Sequence, residues 1–160
     1  MTTASARRAL SADDLRSLVR DLAADPETWE PLVRHDPLQR GAARLRSDDE
    51  VEVWVLSWLP GHDTGYHDHG GSTAAIYVTR GEIREERLSF AGPPRGQILT
   101  TDSVGVVPAL HIHRVHHEGT VPAVSIHAYS PPLADVGVYN EDADGIIERR
   151  VQPGDHELQA

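Results

Sequence analysis

From residue 50 onward the chain is a series of short strand-like segments separated by turn-forming clusters. Val51, Val53 and Val55 alternate with Glu52 and Trp54, as expected of a strand with one buried face. Comparable segments lie at 74–80, 82–88, 97–100, 103–107, 121–129, 135–139 and 145–151. Clusters of Gly, Pro and Asp separate them. Many short strands with frequent turns predict an all-β fold, an antiparallel sandwich or barrel.

The N-terminal part of the chain carries a helical pattern instead. Ser11 is a suitable N-cap, with Asp14 three residues later. Apolar residues then follow at helical spacing, at Leu15, Leu18, Val19 and Leu22. This pattern predicts a helix over 12–24 that ends before Pro26, and a second short helical turn over 25–27.

The length and the charge of the chain limit what it can do. Its 160 residues suit one domain, which we expect over 1–160, with a helical segment over 1–40 and a β-barrel over about 45–151. The formal net charge of −10 argues against binding to nucleic acid or to anionic membranes, which require concentrated positive charge. The sequence has no apolar run of about 18 residues and no signal-peptide pattern, so we expect a cytoplasmic protein.

Amino-acid usage gives two further indications. All 15 basic residues are arginine and the chain has a single asparagine, Asn140, which is typical of a GC-rich bacterial genome. Cysteine is absent, which excludes disulfides, thiolate metal ligands and cysteine nucleophiles. Any bound metal must therefore be held by His, Asp or Glu.

Two histidines one residue apart, His67 and His69, lie in a strand-like run. Because side chains alternate faces along a strand, both project from one face and can bind one ion. A second segment presents His111 and His113 on an apolar background. These two also share a face, so either could supply a third ligand by geometry alone. The spacing indicates a histidine metal site, and a structural histidine pair is the competing interpretation.

A further polar cluster consists of Ser125, His127 and Tyr129. At this spacing the three share one face of a strand, while the apolar residues between them occupy the other face. Either the polar face is exposed to solvent, or hydroxyl, imidazole and phenol form a buried hydrogen-bond chain beside a metal. The pattern by itself is compatible with both.

The histidine segments resemble the two motifs of the cupin family. The matching positions are Gly61, His67, His69, position 74, Gly81, Pro108 and His113. The spacing from Pro108 favours His113 over His111 as the third ligand. The resemblance implies a cupin fold, a small antiparallel β-barrel of the jelly-roll type with the metal inside the barrel.

Position 74 departs from the cupin motif. The usual glutamate ligand is replaced by Ala74. Three neutral imidazoles would then leave a divalent metal with its full charge and about three open positions. Such a site suits a substrate that brings its own anionic donor, such as a thiolate.

The downstream segments are similar to the thiol dioxygenases, the family of cysteine dioxygenase. The similarity rests on Ser-x-His-x-Tyr-Ser-Pro-Pro over 125–132 and on His-Arg-Val over 113–115, and it extends over about 40–133. It implies an Fe(II) enzyme that adds both atoms of O₂ to the sulfur of L-cysteine, giving cysteine sulfinic acid. The implied iron ligands are His67, His69 and His113. The implied catalytic residues are Ser125, His127 and Tyr129.

Members of this family bind the substrate carboxylate through an arginine on a strand before the first motif. Arg40, Arg44 and Arg46 all precede the first barrel strand, and a guanidinium suits a carboxylate because it can bind both oxygens. We predict Arg44 as the substrate-binding residue, with an ordinary surface arginine as the competing interpretation. Some members join a cysteine at the position of Ala74 to the active-site tyrosine. A chain without cysteine cannot form that bond, so Tyr129 is expected to be unmodified.

Other functions are compatible with the same residues. The substrate could be 3-mercaptopropionate or another small thiol such as cysteamine, and outside catalysis the chain could be a metal-binding or ligand-sensing cupin. His116 and His117 are expected to be solvent-exposed beside the Glu118-Gly119 turn. Loop or surface positions are expected for the other histidines, His35, His62 and His156.

Overall fold

A computed structural model describes residues 8–89, 91–155 and 158, so His156 lies outside the described residues. Two short helices and a 3₁₀ turn come first, at α1 (Ala12–Ala23), α2 (Pro26–Trp29) and Glu30–Leu32. Eleven strands follow within the described part: β1 (Gly41–Ser47), β2 (Glu52–Trp58), β3 (His67–Asp68), β4 (Thr73–Arg80), β5 (Glu82–Arg87), β6 (Arg95–Thr100), β7 (Val104–Val107), β8 (His113–His116), β9 (Ala123–Ser130), β10 (Asp135–Glu141) and β11 (Ile147–Pro153).

The strands form two antiparallel sheets that face each other. The five-stranded sheet has the order β1-β2-β9-β4-β7, and the six-stranded sheet has the order β11-β10-β3-β8-β5-β6. Side chains from both sheets share one apolar core, with Leu56 and Ile76 from the first and Ile83, Leu99 and Val115 from the second. The prediction of an all-β fold with a helical N-terminal segment is confirmed.

Helix α1 covers the outer face of the five-stranded sheet. Ser11 caps it, with the Oγ atom accepting the Asp14 backbone N–H and the Asp14 carboxylate accepting the Ser11 N–H, a capping box. Leu15 and Val19 are fully buried in a second core that includes Val53 and other outward-facing strand residues. The five-stranded sheet is therefore buried on both faces, and the predicted helix over 12–24 is confirmed with its end at Ala23.

Strand β1 has no counterpart in the sequence prediction, and β8 (His113–His116) begins at the downstream histidine that the sequence predicted to lie on a strand. Strand β1 has weak alternation and a bulge between Arg44 and Arg46, and it is ordered by pairing with β2 along its length. Strand β3 is only two residues long, so His69 lies just beyond it. The short strands are defined by their neighbours, since His67 pairs with His113 on β8 and with Val138 on β10.

The closing glycine of the first histidine motif has a clear structural reason. Gly81 joins β4 to β5 with a φ of 72°, a conformation that residues with a Cβ rarely adopt. An added Cβ would lie 3.0 Å from the Cβ of Ala123 and 3.0 Å from the carbonyl oxygen of Pro122. Glycine therefore allows the tight turn that brings β4 and β5 into different sheets.

None of the helices in the described residues combines the length and the apolar character needed to cross a lipid bilayer.

Candidate metal centre

Three histidine side chains converge inside the six-stranded sheet. His67 and His69 come from β3 and the residue after it, and His113 begins β8. All three are at most 2 % exposed. The Nε2 atom of His69 lies 3.2 Å from Nε2 of His67 and 3.2 Å from Nε2 of His113. The structure thus brings together the three residues that the sequence predicted as metal ligands, at a point inside the barrel.

The spacing of the three Nε2 atoms fits a single divalent ion. Two imidazole nitrogens bound to one ion at about 2.1 Å lie about 3.0 Å apart at right angles and about 3.4 Å apart in a tetrahedron. The observed separations of 3.2 Å fall between these values. The Nδ1 atom of His67 lies 3.0 Å from the carbonyl oxygen of Gly65, which fixes the proton on Nδ1 and leaves the Nε2 lone pair for a metal.

Ala74 occupies the position at which the cupin motif has a glutamate ligand. It is fully buried on β4 and pairs with Tyr129 on β9. Within the described residues, the group suited to hold a metal consists of the three histidines without a carboxylate. The three histidines would hold a divalent metal without a carboxylate ligand.

Ser125, His127 and Tyr129 form a buried hydrogen-bond chain, which we call the relay. Ser125 Oγ lies 2.9 Å from His127 Nε2, and Tyr129 Oη lies 3.3 Å from His127 Nδ1. The three residues are at most 2 % exposed. Of the two interpretations that the sequence allowed, the solvent-exposed face is wrong, because β9 is the central strand of a sheet that is covered on both sides.

Trp58 sets the direction of the hydrogen bonds in the relay. Its indole N–H donates to Ser125 Oγ over 2.9 Å, and an indole can only donate. Ser125 can then donate its own proton to His127 Nε2, which leaves the His127 proton on Nδ1, facing Tyr129. The phenol of Tyr129 accepts from His127 in this arrangement and directs its own O–H away from the imidazole.

The relay ends beside the three converging histidines. The ring centroids of Tyr129 and His69 are 5.1 Å apart, with the rings nearly perpendicular. A donor from the five-stranded sheet therefore stands next to the ligands from the six-stranded sheet.

A buried carboxylate that the sequence did not predict lies behind His113. Glu85 on β5 is 1 % exposed, and its Oε1 atom lies 3.3 Å from Nδ1 of His113. Burial raises the pKa of Glu85, but hydrogen bonds from His113, Arg87 and Gln97 outweigh this effect and lower the pKa to about 2. One signal was present in the sequence, because Ile83, Glu85 and Arg87 alternate and place a carboxylate on a core-facing position.

Comparisons with known proteins identify the family of the chain. Residues 2–142 match the family described as cysteine dioxygenase type I. The chain belongs to this family. It is 23 % identical over 143 residues to cysteine dioxygenase type 1 of Danio rerio, a match that covers 82 % of this chain and 71 % of the relative. Membership of the cysteine dioxygenase family supports a thiol dioxygenase activity.

Solved structures of other proteins have a fold similar to that of this chain. A double-stranded β-helix protein of Klebsiella pneumoniae aligns with a TM-score of 0.61 and 16 % identity over 68 % of this chain and 86 % of that chain. A cupin superfamily protein of Desulfitobacterium hafniense aligns with a TM-score of 0.55 and 18 % identity over 64 % of this chain and 87 % of that chain. The predicted cupin fold is confirmed.

The arginines near β1 differ in burial. Arg44, the predicted substrate-binding residue of this cysteine dioxygenase family member, has a half-exposed side chain whose Nη2 lies 3.5 Å from Glu52 Oε1. Its guanidinium lies 4.8 Å from the ring centroid of Trp54. Arg40 is only 4 % exposed, and its guanidinium lies 5.0 Å from the ring centroid of Trp58, the residue that donates to the relay. Arg40 is thus the more deeply placed of the two.

The other histidines fall into two groups. His111 is exposed beside Arg87, whereas His113 is buried with His67 and His69. The expectation that His116 and His117 are solvent-exposed is wrong, since they are 6 % and 2 % exposed. The backbone of His116 pairs with Arg84 on β5 and with Asp63. His116 therefore belongs to the sheet and not to the turn at Glu118-Gly119.

Proposed function

We propose that the chain is a mononuclear non-haem Fe(II) dioxygenase that converts L-cysteine to cysteine sulfinic acid. The reaction joins a thiol and O₂ to give a sulfinic acid, so both oxygen atoms end on sulfur and no other reductant is required. The observation that carries the proposal is the convergence of three buried imidazoles, without a carboxylate, next to the Tyr129 phenol. Family membership supports the same chemistry.

His67, His69 and His113 would hold the iron. Bound Fe(II) supplies open coordination positions where sulfur and O₂ are brought together. The protein supplies a site at most 2 % exposed at each ligand, which excludes bulk water. The neutral ligand set leaves the positive charge of the ion uncompensated, which favours binding of a thiolate over a thiol.

We assign to the relay the task of positioning Tyr129. Trp58, Ser125 and His127 hold the phenol oxygen as an acceptor on one side, so its O–H is directed toward the substrate. In this role Tyr129 donates a hydrogen bond to the bound substrate, while His127 and Ser125 act through it.

The carboxylate of L-cysteine would be bound by an arginine from the region of β1. Arg44 is the sequence prediction, and the burial of Arg40 against Trp58 makes Arg40 its rival. Arg44→Met and Arg40→Met distinguish the two when KM is measured with L-cysteine and with cysteamine, which has no carboxylate. Substitution of the residue that binds the carboxylate is expected to raise the KM for L-cysteine and to leave the KM for cysteamine within about twofold of the wild-type value. If a substitution raises the KM for both thiols equally, the substituted arginine does not bind the carboxylate.

The experiment that tests the activity is anaerobic loading with Fe(II), followed by measurement of O₂ consumption and sulfinate over a panel of thiols. The proposal expects L-cysteine to have the highest kcat/KM. A preference for 3-mercaptopropionate, which has no amine, or for cysteamine would support the dioxygenase activity but contradict L-cysteine as the substrate. No sulfinate with any thiol, in a protein that binds iron, would favour a non-catalytic metal-binding or sensing cupin.

We also infer a bacterial, cytoplasmic protein. The arginine-only basic composition supports the bacterial source, and membership of the cysteine dioxygenase family supports the compartment. Expression of a tagged full-length chain followed by fractionation tests the compartment.

A further inference from the structure

Glu85 is surrounded by donors from three directions. Its Oε1 atom accepts from Arg87 Nε over 2.8 Å, and its Oε2 atom accepts from Gln97 Nε2 over 2.8 Å. The same Oε1 atom lies 3.3 Å from Nδ1 of His113. The carboxylate is therefore held at both oxygens, and its remaining contact is with a predicted metal ligand.

The partners of Glu85 are themselves fixed. Arg87 Nη2 donates to the carbonyl oxygen of Val106 over 2.5 Å, which anchors the guanidinium to the five-stranded sheet. Gln97 lies opposite Glu85 on the neighbouring strand β6. The carboxylate thus has little freedom to turn away from His113, and its position is defined before any metal binds.

The contact determines how His113 presents itself to a metal. A carboxylate beside Nδ1 favours the tautomer with the proton on Nδ1, which leaves the lone pair on Nε2. Nε2 is the atom that faces His69 in the structure. The His67 ring is held in the same way by the Gly65 carbonyl, but an ionised carboxylate is a stronger acceptor than a carbonyl.

We propose that Glu85 is a positioning residue of the metal centre, which orients the His113 ring and fixes its Nδ1–H tautomer so that Nε2 binds the metal. The proposal rests on the metal centre of the proposed function and is independent of which thiol is the substrate. The competing role is purely structural, in which Glu85 serves only to pair with the half-buried Arg87.

Metal affinity of the full chain, measured with Co(II) alone, tests this role. Metal-free protein is titrated with Co(II) under anaerobic conditions, and the dissociation constant and the visible absorption spectrum of the bound ion are recorded. Glu85→Gln is expected to weaken Co(II) binding about 10- to 100-fold and to change the spectrum. Glu86→Gln is the matched control on the same strand, because Glu86 faces away from the ligands, and it is expected to stay within about twofold of the wild type.

A double variant separates the two roles and leaves no half-buried arginine without its carboxylate partner. Glu85→Met with Arg87→Met replaces the ion pair by apolar side chains, which is often tolerated by the fold. The proposal expects this variant to bind Co(II) as weakly as Glu85→Gln while its metal-free melting temperature stays near that of the wild type. Wild-type affinity in the double variant would overturn the proposal in favour of the structural role. Failure of the wild type itself to bind Co(II) would overturn the metal centre as well.

Discussion

The two sheets of the barrel contribute different halves of the site and are stabilised in different ways. The five-stranded sheet carries the relay, and its outer face is apolar and packed beneath α1. The six-stranded sheet carries the three histidines, and its outer face has charged pairs such as Arg149 with Asp68 and Arg114 with Asp63. The relay thus depends mainly on apolar burial, and the ligands depend on ion pairs and on short strands.

Strand β3 shows this dependence most clearly. Asp68 lies between the two ligands His67 and His69 and points to the opposite face. Its carboxylate accepts from Arg149 Nε over 2.8 Å and from the hydroxyl of Tyr139 over 2.6 Å. It also accepts backbone N–H groups of Gly70 and Gly137 over 2.9 and 3.2 Å. A two-residue strand is therefore fixed largely by one aspartate, which holds the ligand pair in place from behind.

Removing a ligand from the six-stranded sheet should have the largest effect. His113→Ala is expected to lower Co(II) or Fe(II) affinity by more than about 100-fold, beyond the range for outer partners of a ligand, and to abolish sulfinate formation. His111→Ala is the control, because His111 is exposed on the same segment. Isothermal titration with each metal measures the effect. Equal losses in the two variants would mean that the third ligand is wrongly assigned.

Removing the last donor of the relay should leave the metal in place. Tyr129→Phe is expected to lower kcat about 100-fold, the usual cost of one well-placed donor, and to raise the O₂ consumed per sulfinate formed. Metal affinity should stay within about twofold, since Tyr129 belongs to the other sheet. Tyr77→Phe, on the outer face of the same sheet, is the control. Unchanged turnover and coupling in Tyr129→Phe would contradict the role of the relay.

Removing the charge behind β3 should act on stability first. Asp68→Asn is expected to lower the free energy of unfolding by about 2 kcal/mol, the scale of hydrogen bonds to a charged group, and to weaken metal binding because β3 loosens. Chemical denaturation of the metal-free protein measures the first effect. Glu148→Gln removes an exposed ion pair and is expected to change stability by less than about 0.5 kcal/mol.

The effect of Asp68→Asn on the free energy of unfolding is expected to depend on pH. Burial raises the pKa of Asp68, but hydrogen bonds from Arg149 and Tyr139 outweigh burial and hold the pKa well below its usual value. A lowered pKa contributes stability above the unfolded value near 4, and this contribution is lost as the pH falls toward the folded value. The stability difference between wild type and Asp68→Asn should therefore shrink as the pH falls below about 4. A difference that grows in acid would contradict the role of the ionised carboxylate.

The smallest effect is expected at the helix that covers the five-stranded sheet. Ser11→Ala removes the capping box of α1 and should cost about 1 kcal/mol of stability with no change in metal affinity. Ser17→Ala, at an exposed position inside the helix, should be neutral or slightly stabilising. Thermal unfolding of both variants checks this pair, and an equal loss in both would show that the cap contributes nothing.

The sequence predicted those features that depend on spacing within one segment. The histidine pair, the Ser125-His127-Tyr129 face and helix α1 all follow from local periodicity. What it missed depends on partners far along the chain. Strand β1 is ordered by β2, His116 is buried by β5, and Glu85 contacts His113, 28 positions later in the sequence. For the same reason the sequence did not show that Arg40 is the more buried of the two arginines, since this depends on its packing against Trp58.

We propose that the three histidines of the six-stranded sheet and the relay of the five-stranded sheet together allow both atoms of O₂ to be added to a thiol sulfur. The direct measurement is a single reaction of Fe(II)-loaded protein with L-cysteine under ¹⁸O₂ in unlabelled water, with mass analysis of the product. We expect cysteine sulfinic acid with both sulfinate oxygens labelled. A product with one oxygen from water, or cystine alone with O₂ consumed, would contradict it.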